Sequence, residues 1–254
     1  MIAITHVPSP KMEQCQRTYV GRTPIDYRRA ARQHEEYCRK LRACGADVVT
    51  LDINRDLSDC AFVEDTAIVL DEVAVLASMG AESRRAEPAG IEWELGKYRE
   101  IHRVQTPATI EGGDVLCVGR KLLVGLSSRT NRAGVNALEA VVRRYGYEIV
   151  LVPLGHCLHL KTACTALPDQ SLLINPAWFD VRALRGFELI PVPEAEPWAA
   201  NVALVGNGVW VAADHVETGG VIRERGFEVH TINLSEFAKA EGGVTCLSIL
   251  FRPA

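Results

Sequence analysis

Four times along the chain, two short apolar strands flank a cluster of turn-forming residues. "AFVEDTAIVLDEVAVLAS" turns at Asp71-Glu72, "ATIEGGDVLCVGRKLLVGLS" around Gly119-Arg120, "LHLKTACTALPDQSLLINP" at Pro168-Asp169-Gln170, and "AANVALVGNGVWVAA" at Gly206-Asn207-Gly208. Apolar runs bracketed in this way read as β-hairpins. The turn centres lie roughly 40–50 residues apart, a spacing that marks a structural repeat. Helical periodicity occupies "PIDYRRAARQHEEYCRKLRAC", "GIEWELGKYREI", "NRAGVNALEAVVRRYG" and "ETGGVIRERG". A further short strand follows each helix: "ADVVTLD", "IHRVQT", "YEIVLVP" and "FEVHTIN".

The unit is therefore hairpin, helix, strand. Four units are visible, and a fifth is completed if "GGVTCLSILF" near the C-terminus pairs with "MIAITHV" at the N-terminus. Such pairing closes a ring. The expected architecture is an α/β propeller of five pseudosymmetric hairpin–helix–strand blades, with residues 1–254 forming one catalytic domain. Equivalent positions of every blade then face a common axis. The competing reading is an ordinary mixed α/β sheet.

Composition narrows the partners. Apolar residues make up 48% and charged residues 24% of 254, with a net charge of −4, which does not suggest a nucleic-acid or anionic-membrane partner. No apolar run reaches membrane-spanning length and the N-terminus lacks a basic signal-peptide region, so a cytoplasmic location is expected. In a chain of this size without a leader, the eight cysteines are expected to be reduced. None forms a C-x-x-C pair, so a structural zinc site is not expected.

The first strands of the units carry unusual residues for buried positions: Asp59, Glu64 and Asp65, then Glu111 and Asp114, then His159 and Lys161, and finally Cys246. Acids are seldom buried unless paired, and a cationic ligand would pair them. A thiolate is a nucleophile, an imidazole moves protons at neutral pH, and a carboxylate matches a planar guanidinium with two parallel hydrogen bonds. Gly112-Gly113 and Gly242-Gly243 suggest backbone that approaches a ligand closely. These types together suggest a thiol attacking the central carbon of a guanidinium or amidinium.

"FVEDTAIV", "GAESRRAE", "EGGDVL", "GLSSRTN", "LHLKT" and "GGVTCLSI", in this order, resemble the dimethylarginine dimethylaminohydrolases of the guanidine-modifying (pentein) superfamily. The resemblance runs over nearly the whole chain and implies the same five-fold propeller. It further implies Cys246 as nucleophile, His159 as general acid and base, and Glu111 and Asp65 at the guanidinium nitrogens. By the same resemblance Arg84 and Arg129 hold the substrate's α-carboxylate. Asp59 and backbone carbonyls near Met12 and Ala240 meet its α-amine, Glu64 is a supporting carboxylate, and Phe62 is a pocket wall. The implied reaction converts an Nω-methylated arginine to citrulline and a methylamine through a covalent thiouronium, with no metal or organic cofactor and a small molecule as partner. A homodimer stays open. The chain departs from the family at "VPSPKMEQCQRTYVGRTP", where a longer Gly- and Leu-rich lid is usual and Met12 replaces a leucine.

Blander readings stand beside these. Arg84 and Arg129 could be surface arginines. His156 and His159 would fall on opposite faces of a strand and not share a metal. Lys161 could be structural, Asp114 could cap or pair within the barrel, Cys157 and Cys164 read as core, and "RRAARQHEEYCRK" reads as a solvated helix face. The functional alternatives are an arginine deiminase-like or amidinotransferase-like enzyme, or a non-catalytic methylarginine-binding protein.

Overall fold

A computed structural model describes residues 1–253. The chain begins with β1 (Ile2–His6), α1 (Tyr27–Ala43) and β2 (Asp47–Leu51). The first complete blade follows: β3 (Ala67–Val69), β4 (Val73–Leu76), α2 (Glu87–Leu95) and β5 (Glu100–Arg103). The second is β6 (Val115–Val118), β7 (Lys121–Leu126), α3 (Arg132–Val142) and β8 (Glu148–Pro153). The short α4 (Leu160–Ala163) leads into β9 (Cys164–Ala166), β10 (Leu172–Ile174) and β11 (Leu189–Pro191). The last run is β12 (Ala203–Val205), β13 (Gly208–Ala212), α5 (Val216–Glu224), β14 (Glu228–Ile232), α6 (Ser235–Ala238) and β15 (Ile249–Phe251).

The strands form five three-stranded sheets with one pattern: an antiparallel hairpin, then a parallel third strand. The ring closes as expected. Ile4 of β1 pairs with Ile249 of β15 in antiparallel register, and β2 lies parallel on the other side of β1. The third blade departs from the expected unit. A 3-10 turn, Val181–Leu184, stands where the other blades have an α-helix, and β11 after it was not anticipated. That stretch is "AWFDVRALRGFELIP", too short between Pro176 and Gly186 to show helical periodicity.

Buried apolar side chains fall into five clusters, one at each junction between neighbouring sheets. Ile68, Val75, Val115 and Leu122 join the first two complete blades, for example, and Tyr37, Trp210 and Ile232 pack where α1 meets the last. The first strands β3, β6, β9, β12 and β15 surround a central cavity of about 250 Å3 with Glu64 and Lys161 among its lining. α1 is not a wholly solvated face. Asp26 caps it by accepting from Arg29 N–H at 3.1 Å, and Ala30, His34, Tyr37, Cys38 and Leu41 are buried beneath its charged side. No described helix is long and apolar enough to cross a membrane. All eight cysteines are free thiols, and Cys157 and Cys164 belong to the core.

Candidate active site

The functional side chains do not lie on the strands, as the sequence suggested. They sit on the turns that lead into each first strand. Glu64 and Asp65 are in the 3-10 turn Val63–Thr66 before β3, and Glu111 immediately precedes the turn Gly112–Asp114 before β6. His159 is the residue before α4. Cys246 lies three residues ahead of β15 rather than on it, with Gly243 N–H donating to its Sγ at 3.3 Å. Turn geometry frees a side chain from the two-faced alternation of a strand, so consecutive residues such as Glu64 and Asp65 can both face inward.

Glu111 is fully buried. Its Oε2 lies 2.7 Å from His159 Nε2, and its Oε1 accepts from Gly80 N–H at 2.9 Å. Asp114 anchors the turn carrying the imidazole: Oδ1 accepts from Leu160 N–H at 2.9 Å and Oδ2 from the Ser127 hydroxyl at 2.6 Å. His159 Nδ1 stands 3.7 Å from Asp65 Oδ1, an oxygen that is buried without a hydrogen-bond partner. Burial alone would lower the imidazole pKa, but Asp65, the Glu111 hydrogen bond and Asp114 outweigh it and raise it to about 9. Burial raises the Asp114 carboxyl to about 6. Asp65 stays below the ordinary carboxylate range: burial opposes its ionisation, and His159 and Arg84 overcome that.

The thiol faces the opposite field. Burial, then Glu64 and Asp65, push Cys246 up to about 12. Glu64 itself is paired, its Oε1 at 2.8 Å from Lys161 Nζ and its Oε2 accepting from the Thr245 hydroxyl at 2.5 Å. Lys161 is thus held by the neighbouring carboxylate, while His156 is exposed and shares nothing with His159.

Arg84 is held by acids in this structure. It is buried, its Nε and Nη2 bond Glu87, its Nη1 reaches Asp65 Oδ2 at 2.7 Å, and Nη2 also donates to the Phe62 carbonyl. Most of its donors are thus committed to Glu87, Asp65 and the Phe62 carbonyl. Burial raises Glu87 to about 7 despite this arginine. Arg129 is buried too; its Nη1 has no hydrogen-bond partner and lies at ion-pair distance, 3.8 Å, from Glu111 Oε1.

The chain near the N-terminus folds over this cluster. Asp59 accepts from Gln16 N–H at 3.0 Å and from the Ser58 hydroxyl, and Glu241 Oε1 accepts from the N–H groups of Thr18, Tyr19 and Val20. Glu241 adopts φ +62 to do so, and it ties this lid to the turn that carries Cys246. Met12 is buried with Cys15, Phe62 and Ala240, and its carbonyl is engaged by Cys15 N–H. Phe62 packs edge-on to Phe237 at 6.3 Å.

The paired glycines sit tight against protein groups of neighbouring turns. A Cβ on Gly112 would lie 2.1 Å from Glu64 O, one on Gly113 2.6 Å from Asp65 Oδ1, and one on Gly243 2.3 Å from Asn201 Oδ1. They let turns of neighbouring blades touch one another. Asn201 was not anticipated. It stands two residues before β12, as Asp65 stands two before β3, and superposing "AANVALV" on "VEDTAIV" would have marked it.

Asp65, Glu111 and His159 bring ligand-type atoms within 4.8 Å of one another. Arg84 already occupies Asp65 Oδ2, and Glu111 and His159 are already bonded to each other. The arrangement suits a planar organic cation better, since Asp65 Oδ1 is an unused acceptor and the imidazole, protonated at neutral pH, is a proton donor.

A cysteine, an imidazole–carboxylate pair and further buried acids at the axis of a five-bladed α/β propeller are the features of a pentein of the guanidine-modifying kind. A model of the eukaryotic N,N dimethylarginine dimethylhydrolase family matches residues 11–171, and the chain belongs to the dimethylarginine dimethylaminohydrolase family. It is 38% identical over 251 residues to the N(G),N(G)-dimethylarginine dimethylaminohydrolase of Streptomyces coelicolor, covering 98% of this chain and 96% of that one. It is 33% identical to the Pseudomonas aeruginosa protein of the same name, covering 89% and 90%. A Pseudomonas aeruginosa crystal structure, a serine-for-cysteine mutant complexed with citrulline, superposes with a TM-score of 0.92 at 30% identity over 98% of both chains. A crystal structure of a dimethylarginine dimethylaminohydrolase adduct with S-methyl-L-thiocitrulline gives a TM-score of 0.91 at 30% identity over 98% of this chain and 99% of that one.

Proposed function

We propose that this protein hydrolyses Nω-methylated arginine, as asymmetric dimethylarginine or monomethylarginine, to citrulline and the corresponding methylamine. The observation that carries the reading is the Glu111–His159 pair beside the unpartnered Asp65 Oδ1, at the same axis as Cys246. The guanidinium sits against Asp65 and Glu111, which replaces a bimolecular encounter with a positioned one. As the cation binds, Cys246 releases its proton to solvent water. The thiolate adds to the guanidinium carbon, and His159 protonates the departing amine as the C–N bond breaks. A thiouronium remains on Cys246. The now neutral imidazole takes a proton from water and the hydroxide adds to the same carbon; the C–S bond then breaks as the added hydroxyl gives its proton to the departing thiolate, releasing citrulline and the Cys246 thiol. No external cofactor is called for, because the substrate carries its own electrophilic cation.

Arg129 is the proposed carboxylate anchor, supported by its buried, unpartnered Nη1. Asp59 and the carbonyls near Met12 and Ala240 are the proposed surroundings of the α-amine, with Phe62 as a wall and Glu64 as a support beneath. Residues 1–254 act in this reading as one catalytic domain in the cytoplasm. The test is mass spectrometry of products after incubation with arginine, monomethylarginine and asymmetric dimethylarginine. Citrulline with dimethylamine from the last is the expected result. Citrulline from arginine alone would move the protein to the deiminase branch.

A further inference from the structure

Four of the five turns at the axis supply an acid, an imidazole or a thiol. The fifth supplies Asn201, which is buried and whose amide is fully engaged by the two catalytic turns. Its Nδ2 donates to Lys161 O at 2.9 Å, two residues after His159, and to Thr245 Oγ1 at 3.1 Å. Its Oδ1 accepts from Thr245 N–H at 3.0 Å, the peptide immediately before Cys246. Thr245 passes the link on, donating its hydroxyl to Glu64 beside Asp65, and Lys161 Nζ closes the circuit on the same carboxylate. Gly243 lies so close to this amide that no side chain could be placed there.

We propose that Asn201 is a positioning residue for the reaction: its amide fixes the distance between the turn that carries His159 and the turn that carries Cys246, with Thr245 relaying the constraint to Glu64. This rests on the hydrolytic reading above. The chemistry needs it because the two residues come from different blades, each on a short irregular turn. Sulfur must reach the guanidinium carbon while the imidazole reaches the nitrogen that leaves. A misplacement of about 1 Å can cost on the order of 10²-fold in rate. An amide is suited to the task, since it offers two donors and an acceptor in a plane and adds no charge beside a thiol that must ionise. A carboxylate of the same shape would face the Lys161 carbonyl without a donor.

The test compares Asn201→Ala, Asn201→Asp, Thr245→Val and Thr245→Ser with wild type, each shown to be folded by circular dichroism at the assay temperature. Asn201→Ala should lower kcat about 10- to 100-fold with KM changed less than about threefold, because Asp65, Glu111 and Arg129 do not touch Asn201. Thr245→Val should lose a comparable amount, the double variant should lose less than the product of the two, and Thr245→Ser should stay within about threefold of wild type. The pH profile of Cys246 alkylation by iodoacetamide in Asn201→Ala should remain that of wild type, since the amide makes no contact with sulfur; general loosening of the site would shift it. If Asn201→Ala does not fold, Asn201→Asp and Thr245→Val carry the same comparison. A kcat within threefold of wild type, a parallel rise in KM, or full additivity overturns the inference. Ratios are taken on whichever guanidine wild type consumes, so a wild type inactive on dimethylarginine but active on arginine would refute the substrate assignment alone.

Discussion

Glu111 Oε2 holds His159 Nε2 at 2.7 Å and turns the other ring nitrogen, Nδ1, toward Asp65. The imidazole is therefore anchored on one side and faces the site on the other, and it is raised to about 9 mainly because Asp65 and Glu111 overcome the effect of burial. It is protonated at neutral pH and ready to donate to a leaving amine. A raised pKa contributes stability that is fully present below the unfolded value and is lost as pH rises through about 9. Replacing Glu111 by Gln removes one of the charges that raise it, so the His159 resonance in an NMR titration should move to a lower pKa and turnover should fall about 10²-fold or more. An unchanged titration would mean that Glu111 does not control the ring.

The second expectation concerns the thiol. Burial, Glu64 and Asp65 raise Cys246 to about 12, so it is neutral in the free protein. A guanidinium at ~4 Å, with an effective dielectric of ~20, is worth at most about 4 kcal/mol, or on the order of 3 pKa units. Alkylation by iodoacetamide, with Cys246→Ser as background, should still be accelerating above pH 8 in the free protein. A small amidinium ligand that leaves sulfur accessible should bring the profile to lower pH. A fast, flat profile from pH 6 upward without ligand would establish a preformed thiolate and end the idea of activation by the substrate.

The propeller was legible in the sequence because each hairpin carries its own turn residues, such as Gly119-Arg120 and Gly206-Asn207, and because α1 and α3 keep an apolar stripe. The third blade lost its helix to a 3-10 turn at Val181–Leu184, and no periodicity survives in four residues. Residue types pointed to Cys246, His159, Glu111 and Asp65, since buried acids and an imidazole in apolar surroundings need partners. The contacts of Arg84 and Asn201 were not legible. A guanidinium reads identically in sequence whether it meets Glu87 or a ligand, and an asparagine among apolar residues looks like a turn former. Only the approach of different blades, permitted by Gly112, Gly113 and Gly243, distinguishes them.

His34 sets an acid limit on stability that is independent of the site. It is buried on α1, and desolvation, then His6 and Arg42, lower it to about 4. A lowered imidazole pKa disfavours the charged form in the fold. Stability is fully present above the unfolded value of about 6.5 and falls as pH drops toward about 4, by roughly 3 kcal/mol if the full shift operates. His6 is shifted in the same direction, also chiefly by burial, and contributes further. Urea unfolding of wild type at pH 7 and pH 4.5 should show this loss, and His34→Gln should reduce it by about one proton's worth of slope. A variant with the same acid loss as wild type would mean that another group drives it.

The two arginines should fail in different ways. Arg84 is locked between Asp65 and Glu87, so Arg84→Met strands buried carboxylates and should cost roughly 3–5 kcal/mol of stability. Adding Glu87→Gln should recover part of it, because Glu87 is already raised to about 7 by burial and is the easier of the two to neutralise. Arg129 makes no hydrogen bond through its buried Nη1 and only a long, 3.8 Å ion pair to Glu111, so Arg129→Ala should cost less stability than Arg84→Met. Its loss should appear in KM. If it holds the substrate's α-carboxylate, deleting that carboxylate should weaken binding about as much as Arg129→Ala does, and combining the two should add little. Additive losses in that cycle would place the carboxylate elsewhere. A large Arg84→Met effect on KM in folded protein, with little on stability, would return the anchoring role to Arg84.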